Sequence, residues 1–188
     1  MRKAIFLDKD GTLIEDIPYN VDARLIRFPE GCLDALKSLQ ASGYLLIVIS
    51  NQSGVAHGYF SEADLINLKR ELTGMLQSSG IRLDAFYFCP HHPKGKIERL
   101  AVHCDCRKPN PGMILRAADQ FNINLTHSWM IGDILNDVEA GNRAGCRTIL
   151  INNGNETEWE TAGLRQPTLI VKSLKEAAAI ITNERELV

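Results

Sequence analysis

Residues 45–49, Leu-Leu-Ile-Val-Ile, are apolar at every position and stop abruptly at Ser50-Asn51. A strand with one wet face alternates polar and apolar side chains, so a run without alternation belongs to a strand covered on both faces, as in parallel sheets flanked by helices. Shorter runs of the same kind recur at 4–7, 85–88, 129–131, 148–151 and 168–171. Segments of helical period lie between them. Leu33, Leu36 and Leu39 fall on one helix face. Ser61 opens a second helix, with Asp64 at the capping-box spacing, a stripe of Leu65, Leu68, Leu72, Met75 and Leu76, and Gly80 to end it. Asn110 and Pro111 read as the cap and first turn of a third, burying Met113, Ile114, Ala117 and Phe121. Further helices are expected near 137–144 and from Ser173. With no internal repeat, linker or low-complexity tract, residues 1–188 read as one three-layer, Rossmann-like α/β domain with a mainly parallel sheet.

Charge and hydropathy narrow the function. Lys plus Arg number 21 against 23 Asp plus Glu, a net charge of -2, which leaves no basic field for nucleic acid or anionic lipid. Apolar runs such as 44–49 and 177–181 are far shorter than the roughly 20 residues of a membrane helix. The four apolar residues between Lys3 and Asp8 are too few for a secretory signal, so a cytoplasmic protein is expected. The absence of heptads or a long apolar stripe favours a monomer. Cys32 and Cys146 read as small buried hydrophobes.

In an open parallel sheet a ligand sits beyond the carboxyl ends of the strands. Three apolar runs end there in polar groups: Asp8-Lys9-Asp10-Gly11-Thr12, Ser50-Asn51-Gln52-Ser53 and Gly132-Asp133. Asp8 and Asp10, two apart on extended chain, share one side while Lys9 points away. With Asp133 from a neighbouring strand they suit a hard divalent cation such as Mg²⁺, leaving positions for water and a phosphate oxygen. Ser50 and Asn51 offer neutral donors, and Arg107-Lys108 offers a guanidinium fork and a point charge for phosphate.

A second metal signature lies at 89–109. Cys89-x-His91 and Cys104-x-Cys106 each present two ligands on one side of an extended segment, and side-chain parity selects His91 over His92 and His103. Cys89, His91, Cys104 and Cys106 fill a tetrahedron with no open position, which points to structural Zn²⁺.

In order and spacing these segments resemble the four motifs of the haloacid dehalogenase superfamily of phosphotransferases: Asp8 to Thr12, Ser50-Asn51, Lys108, and Gly132-Asp133 with Asp137. The Cys89-Pro90-His91-His92-Pro93 and Cys104-Asp105-Cys106-Arg107-Lys108-Pro109 stretches are similar to its zinc-loop subgroup. The resemblance implies a Mg²⁺-dependent phosphatase in which Asp8 is the nucleophile and Asp10 the general acid and base. It implies Mg²⁺ held by Asp8, the Asp10 backbone carbonyl and Asp133, with Ser50, Asn51 and Lys108 on the transferring phosphoryl group. Arg107 would reach the substrate beyond, and Asp137 would brace the site. It also implies a capless enzyme whose site is walled by the loop 15–28 and the zinc loop, and a small sugar-phosphate substrate. Asp16, Tyr19, Gln52 and Ser53 would line the sugar pocket, and their pattern favours a heptose bisphosphate over histidinol phosphate. Ile134 stands where the subgroup often has a basic residue, so the distal contact falls to Arg107. The competing classes are a noncatalytic receiver-like domain and a zinc-stabilised binding module.

Overall fold

A computed structural model describes residues 1–183. Six strands, β1 (Lys3–Leu7), β2 (Tyr44–Asn51), β3 (Ala85–Cys89), β4 (Trp129–Gly132), β5 (Arg147–Ile151) and β6 (Leu169–Val171), form one all-parallel sheet in the order β3-β2-β1-β4-β5-β6. The helices are α1 (Cys32–Ala41), α2 (Gly54–His57), α3 (Glu62–Ser78), α4 (Gly112–Phe121), α5 (Leu135–Ala144) and α6 (Leu174–Asn183).

The two-faced burial inferred for the apolar runs has a direct structural counterpart. In β1, Ile5 and Leu7 pack with α1, α3 and α6 on one face, whereas Ala4 and Phe6 pack with α4 and α5 on the other. In β2, Leu46 and Val48 join the first layer and Leu45, Ile47 and Ile49 the second. Every side chain from Ala4 to Leu7 and from Tyr44 to Ser50 is therefore buried, and apolar area drives the assembly at about 25 cal/mol per Å² buried.

The expected capping box at α3 is present: Ser61 accepts from Asp64 N–H and Asp64 accepts from Ser61 N–H. Two local details differ from expectation. The helix α4 begins at Gly112, and Asn110 does not cap it, because its Nδ2 donates instead to the carbonyl of Cys104 at 2.8 Å. The turn after β2 winds into the short α2, which apolar period could not reveal in four residues.

β1 lies between β2 and β4, with Leu7 in register with Val48 on one side and Ile131 on the other. The carboxyl ends of these three strands thus open on one point, where the strand order reverses direction. Between β1 and α1 the only regular structure is a 3-10 turn at Ala23–Leu25, so among the described residues no cap domain is inserted over that point. Among the described residues no helix is long and apolar enough to cross a membrane.

Candidate active site

Asp8 follows directly on β1, and its N–H donates to Ile131 O at 2.9 Å, which ties the end of β1 to β4. The carboxylates of Asp8, Asp133 and Asp137, all buried, lie within 4.8 Å of one another. Lys108, only 2% exposed, sets its Nζ 2.5 Å from Asp8 Oδ1 and 2.5 Å from Asp137 Oδ1, and donates to Ile49 O at 2.9 Å. Burial opposes the ammonium, but the two carboxylates outweigh it and hold Lys108 above the usual lysine range.

Three buried carboxylates against one cation leave negative charge unbalanced. Burial pushes Asp8 well above the ordinary carboxylate range, against the pull of Lys108, and Asp133 is pushed up to about 6 by burial and then by Asp137. A hard oxygen-rich pocket with charge to spare fits a divalent cation. The fit distinguishes the three acids. Asp137 uses one oxygen on Lys108 and the other to accept from Ile134 N–H at 3.3 Å, so it acts as a brace. Asp133 is steadied by Asn155 Nδ2 at 2.6 Å and Thr12 Oγ at 3.4 Å. Gly11 has φ +79°, and a Cβ there would stand 2.0 Å from Asp133 Oδ2, so glycine is required for the loop to approach the acid.

A pH dependence follows from Asp133. Its folded pKa is raised above the unfolded value, so the protonated form favours folding, and that stability is lost as pH climbs from about 4 to about 6. The expected cost above pH 6 is about 3 kcal/mol. In Mg²⁺-free buffer the melting temperature should fall across this window, and addition of Mg²⁺ should restore it above pH 6. A flat profile would show that Asp133 is not buried as charge.

Asp10 turns its carboxylate away from this group. Lys9, expected to point away, instead curls beneath the loop, 1% exposed, and donates to Asp10 Oδ1 at 2.6 Å, while Gln52 Nε2 donates to Asp10 Oδ2 at 2.9 Å. The correction has a simple cause: the chain leaves extended geometry after Asp8, with Leu13 and Ile14 N–H both donating to Lys9 O, so alternation no longer applies.

Ser50 Oγ is buried and accepts from Gln52 Nε2 at 2.8 Å. Asn51, expected on the phosphoryl group, spends its amide on the Lys108 backbone: Nδ2 donates to Lys108 O and Oδ1 accepts from Lys108 N–H, each at 3.0 Å. Its side chain therefore fixes the chain that carries Lys108. A cleft of about 240 Å³ opens beside Asp10, lined by Asp16, Tyr19, Asn51, Gln52 and Ser53 among others. Tyr19 is half exposed, its ring edge-on to Tyr59 with centroids 4.7 Å apart, and Asp16 is raised by burial and by Asp10. Arg107 is not among the residues lining this cleft; its Nη1 donates to His91 O at 3.2 Å.

The Cys/His group assembles as the parity argument requires. Cys89, His91, Cys104 and Cys106 gather with sulfur–sulfur separations of 2.9 to 3.5 Å, and His91 Nδ1 stands 3.3 Å from Cys106 and 3.6 Å from Cys89. A zinc tetrahedron with bonds of about 2.3 Å has edges of roughly 3.8 Å, so the cluster matches that shape slightly contracted. The hydrogen bond between Cys89 and Cys106 draws the Cys106 thiol below its ordinary range and pushes Cys89 above it, so the two sulfurs share a proton that a bound metal would displace. His92 lies apart, its Nδ1 accepting from Lys94 N–H. Cys32 and Cys146 are buried and do not belong to the group, each thiol being pushed up to about 12 by burial.

Sequence reasoning passed over the loop after β5. Asn153 Nδ2 donates to Gly11 O at 2.7 Å and Asn155 holds Asp133. Glu156 accepts from Leu135 N–H at 2.5 Å, capping α5 from outside its own sequence, since Ile134 has no acceptor to offer. Burial pushes Glu156 up, but three backbone N–H donors pull it below the ordinary value. The one available signal was an amide-rich run, 152–155, immediately after a strand end.

A parallel sheet with Asp8 at the end of a middle strand, that buried acid on a lysine and a second acid two residues on defines a haloacid dehalogenase-like phosphatase. A HAD-hydrolase-like family model matches residues 105–177. The D-glycero-beta-D-manno-heptose-1,7-bisphosphate 7-phosphatase of Pasteurella multocida is 41% identical over 182 residues, covering 96% of this chain and 97% of its own. That of Escherichia coli K12 is 39% identical, covering 93% and 96%. The crystal structure of D,D-heptose 1,7-bisphosphate phosphatase from B. bronchiseptica, complexed with magnesium and phosphate, superposes with a TM-score of 0.83 at 30% identity, covering 97% of this chain and 99% of that one. The chain belongs to the D-glycero-beta-D-manno-heptose-1,7-bisphosphate 7-phosphatase family.

Proposed function

We propose that this protein removes the 7-phosphate of D-glycero-D-manno-heptose 1,7-bisphosphate through an aspartyl-phosphate on Asp8. The observation that carries the chemistry is the difference between two acids two residues apart: Asp8 is sunk against Lys108, whereas Asp10 stands at the cleft with its own donors. The names of the relatives at about 40% identity support the substrate.

Asp8 Oδ attacks phosphorus as the bond to the sugar oxygen breaks, and Asp10 delivers a proton to that oxygen. Water then attacks the phosphorus of the aspartyl-phosphate, Asp10 takes its proton, and phosphate leaves with the Asp8 carboxylate restored. Lys108 holds the nucleophile and balances charge on the phosphoryl oxygens, with Ser50 beside it. Asp8, Asp133 and the Asp10 carbonyl would hold Mg²⁺, which when bound polarises the phosphoryl group and offsets the negative charge of the pocket. Cys89, His91, Cys104 and Cys106 would hold Zn²⁺ as a staple. Asp16, Tyr19, Gln52 and Ser53 would line the sugar pocket, and Arg107, which stands outside that cleft, would reach the far end of the substrate.

Phosphate release with Mg²⁺ should be fastest from the heptose 1,7-bisphosphate and weak from histidinol phosphate and common sugar monophosphates. Equal or better turnover of histidinol phosphate would reassign the substrate while leaving the reaction in place. No turnover of any ester would end the phosphatase reading.

A further inference from the structure

Lys9 carries a charge at 1% exposure beside a catalytic loop, and burying an ammonium costs several kcal/mol unless it is paired. The partner is Asp10 Oδ1, and the other oxygen of the same carboxylate is taken by Gln52. Each oxygen thus has its own donor, from opposite walls: Lys9 from within the 8–14 turn, Gln52 from the end of β2. Gln52 is itself anchored, its N–H donating to Cys89 O at 2.8 Å and its amide also reaching Ser50 Oγ. Asp10 keeps a side chain 29% exposed, on the cleft side. A carboxylate on a loop, so exposed, would otherwise sample several rotamers, and proton transfer demands one.

We propose that Lys9 and Gln52 are positioning residues that hold Asp10 in its proton-transfer orientation, acting on both half-reactions without touching the substrate's phosphoryl group. The proposal rests on the assignment of Asp10 as general acid and base. Neither residue belongs to the buried carboxylate group or to the ion pairs of Lys108.

The test uses the Mg²⁺-loaded enzyme with two kinds of ester. A sugar phosphate releases an alkoxide that needs a proton, whereas p-nitrophenyl phosphate releases a stable phenolate that does not. In Lys9→Met, kcat on the sugar phosphate should fall about 100-fold with KM changed less than threefold. On p-nitrophenyl phosphate the first step should be spared and hydrolysis of the phosphoenzyme slowed, giving a burst of one phenolate per enzyme. Lys9→Arg should recover most of the sugar-phosphate rate. Gln52→Leu should lower kcat on the sugar phosphate more weakly and, because Gln52 also lines the sugar cleft, raise KM as well.

Equal losses on both esters without a burst, or a loss confined to KM, would overturn the positioning role. So would a failure of Lys9→Arg to recover activity while it retains the wild-type melting temperature. If wild-type enzyme hydrolyses neither ester, the phosphatase reading itself has failed, and that result is distinct from the others.

Discussion

Asp8→Asn should lower phosphate release by at least about 10⁴-fold and leave no phosphoenzyme to trap, because the attacking oxygen is replaced by an amide that does not attack phosphorus. The effect on folding should run the other way. Asp8 is an acid whose burial works against its charge, and Asn fills nearly the same volume without it. Lys108 keeps Asp137 at 2.5 Å and Ile49 O at 2.9 Å, so it is not left as an unpaired buried cation. The melting temperature should therefore hold or rise by a few degrees. Stopped turnover with an unchanged or raised melting temperature assigns the loss to chemistry. A drop of ten degrees would instead mean that the Asp8–Lys108 pair holds the site together, and the loss of turnover would say nothing about a nucleophile.

Cys104→Ser should release the zinc and destabilise the protein on the order of 4 kcal/mol, which for a domain of this size is roughly 10 °C in melting temperature. The segment between β3 and α4 has little apolar packing of its own: Leu100 and Ile97 join a small cluster with Val55, Ala56 and Leu65, two N–H groups donate to Ala56 O, and the ligands gather the rest. The consequence reaches the reaction. Lys108 is two residues beyond Cys106, and its backbone is held by Asn51, so slackening of the cluster should displace the ammonium from Asp8 and slow turnover as well. His103→Ala, in the same loop but exposed, should change neither metal content nor stability. Measuring bound zinc and the melting curve of both variants separates a ligand from a neighbour. A Cys104→Ser protein that keeps its zinc and its melting temperature would remove the staple from the account.

The parts of the site legible in sequence were those on regular structure. Asp8 and Asp133 were visible because each follows a run whose burial on two faces fixes where the strand ends. Parity separated His91 from His92 because the chain there is still extended as it leaves β3. The same rule failed for Lys9, two residues past β1, where the backbone had already turned. Asn51 was read by residue type, and type does not tell whether an amide faces ligand or backbone. Asn155 and Glu156 reach Asp133 and α5 from a loop without period, and their contacts span 22 and 21 residues. Such contacts follow from the packed tertiary structure, which local pattern does not encode.

The central place of β1 also bears on how the chain is made. Thr12 and Asp133 stand 121 residues apart, and Gly11 and Asn153 stand 142 apart. On the ribosome β1 and β2 emerge early and can pair, but the other edge of β1 stays open until β4 has been synthesised, and the loop that steadies Asp133 comes later still. A nascent chain thus spends most of its translation with the edge of β1, apolar from Ala4 to Leu7, unpaired, the kind of edge that pairs readily with other chains. Early protection of this edge by a chaperone should therefore raise the yield of folded enzyme.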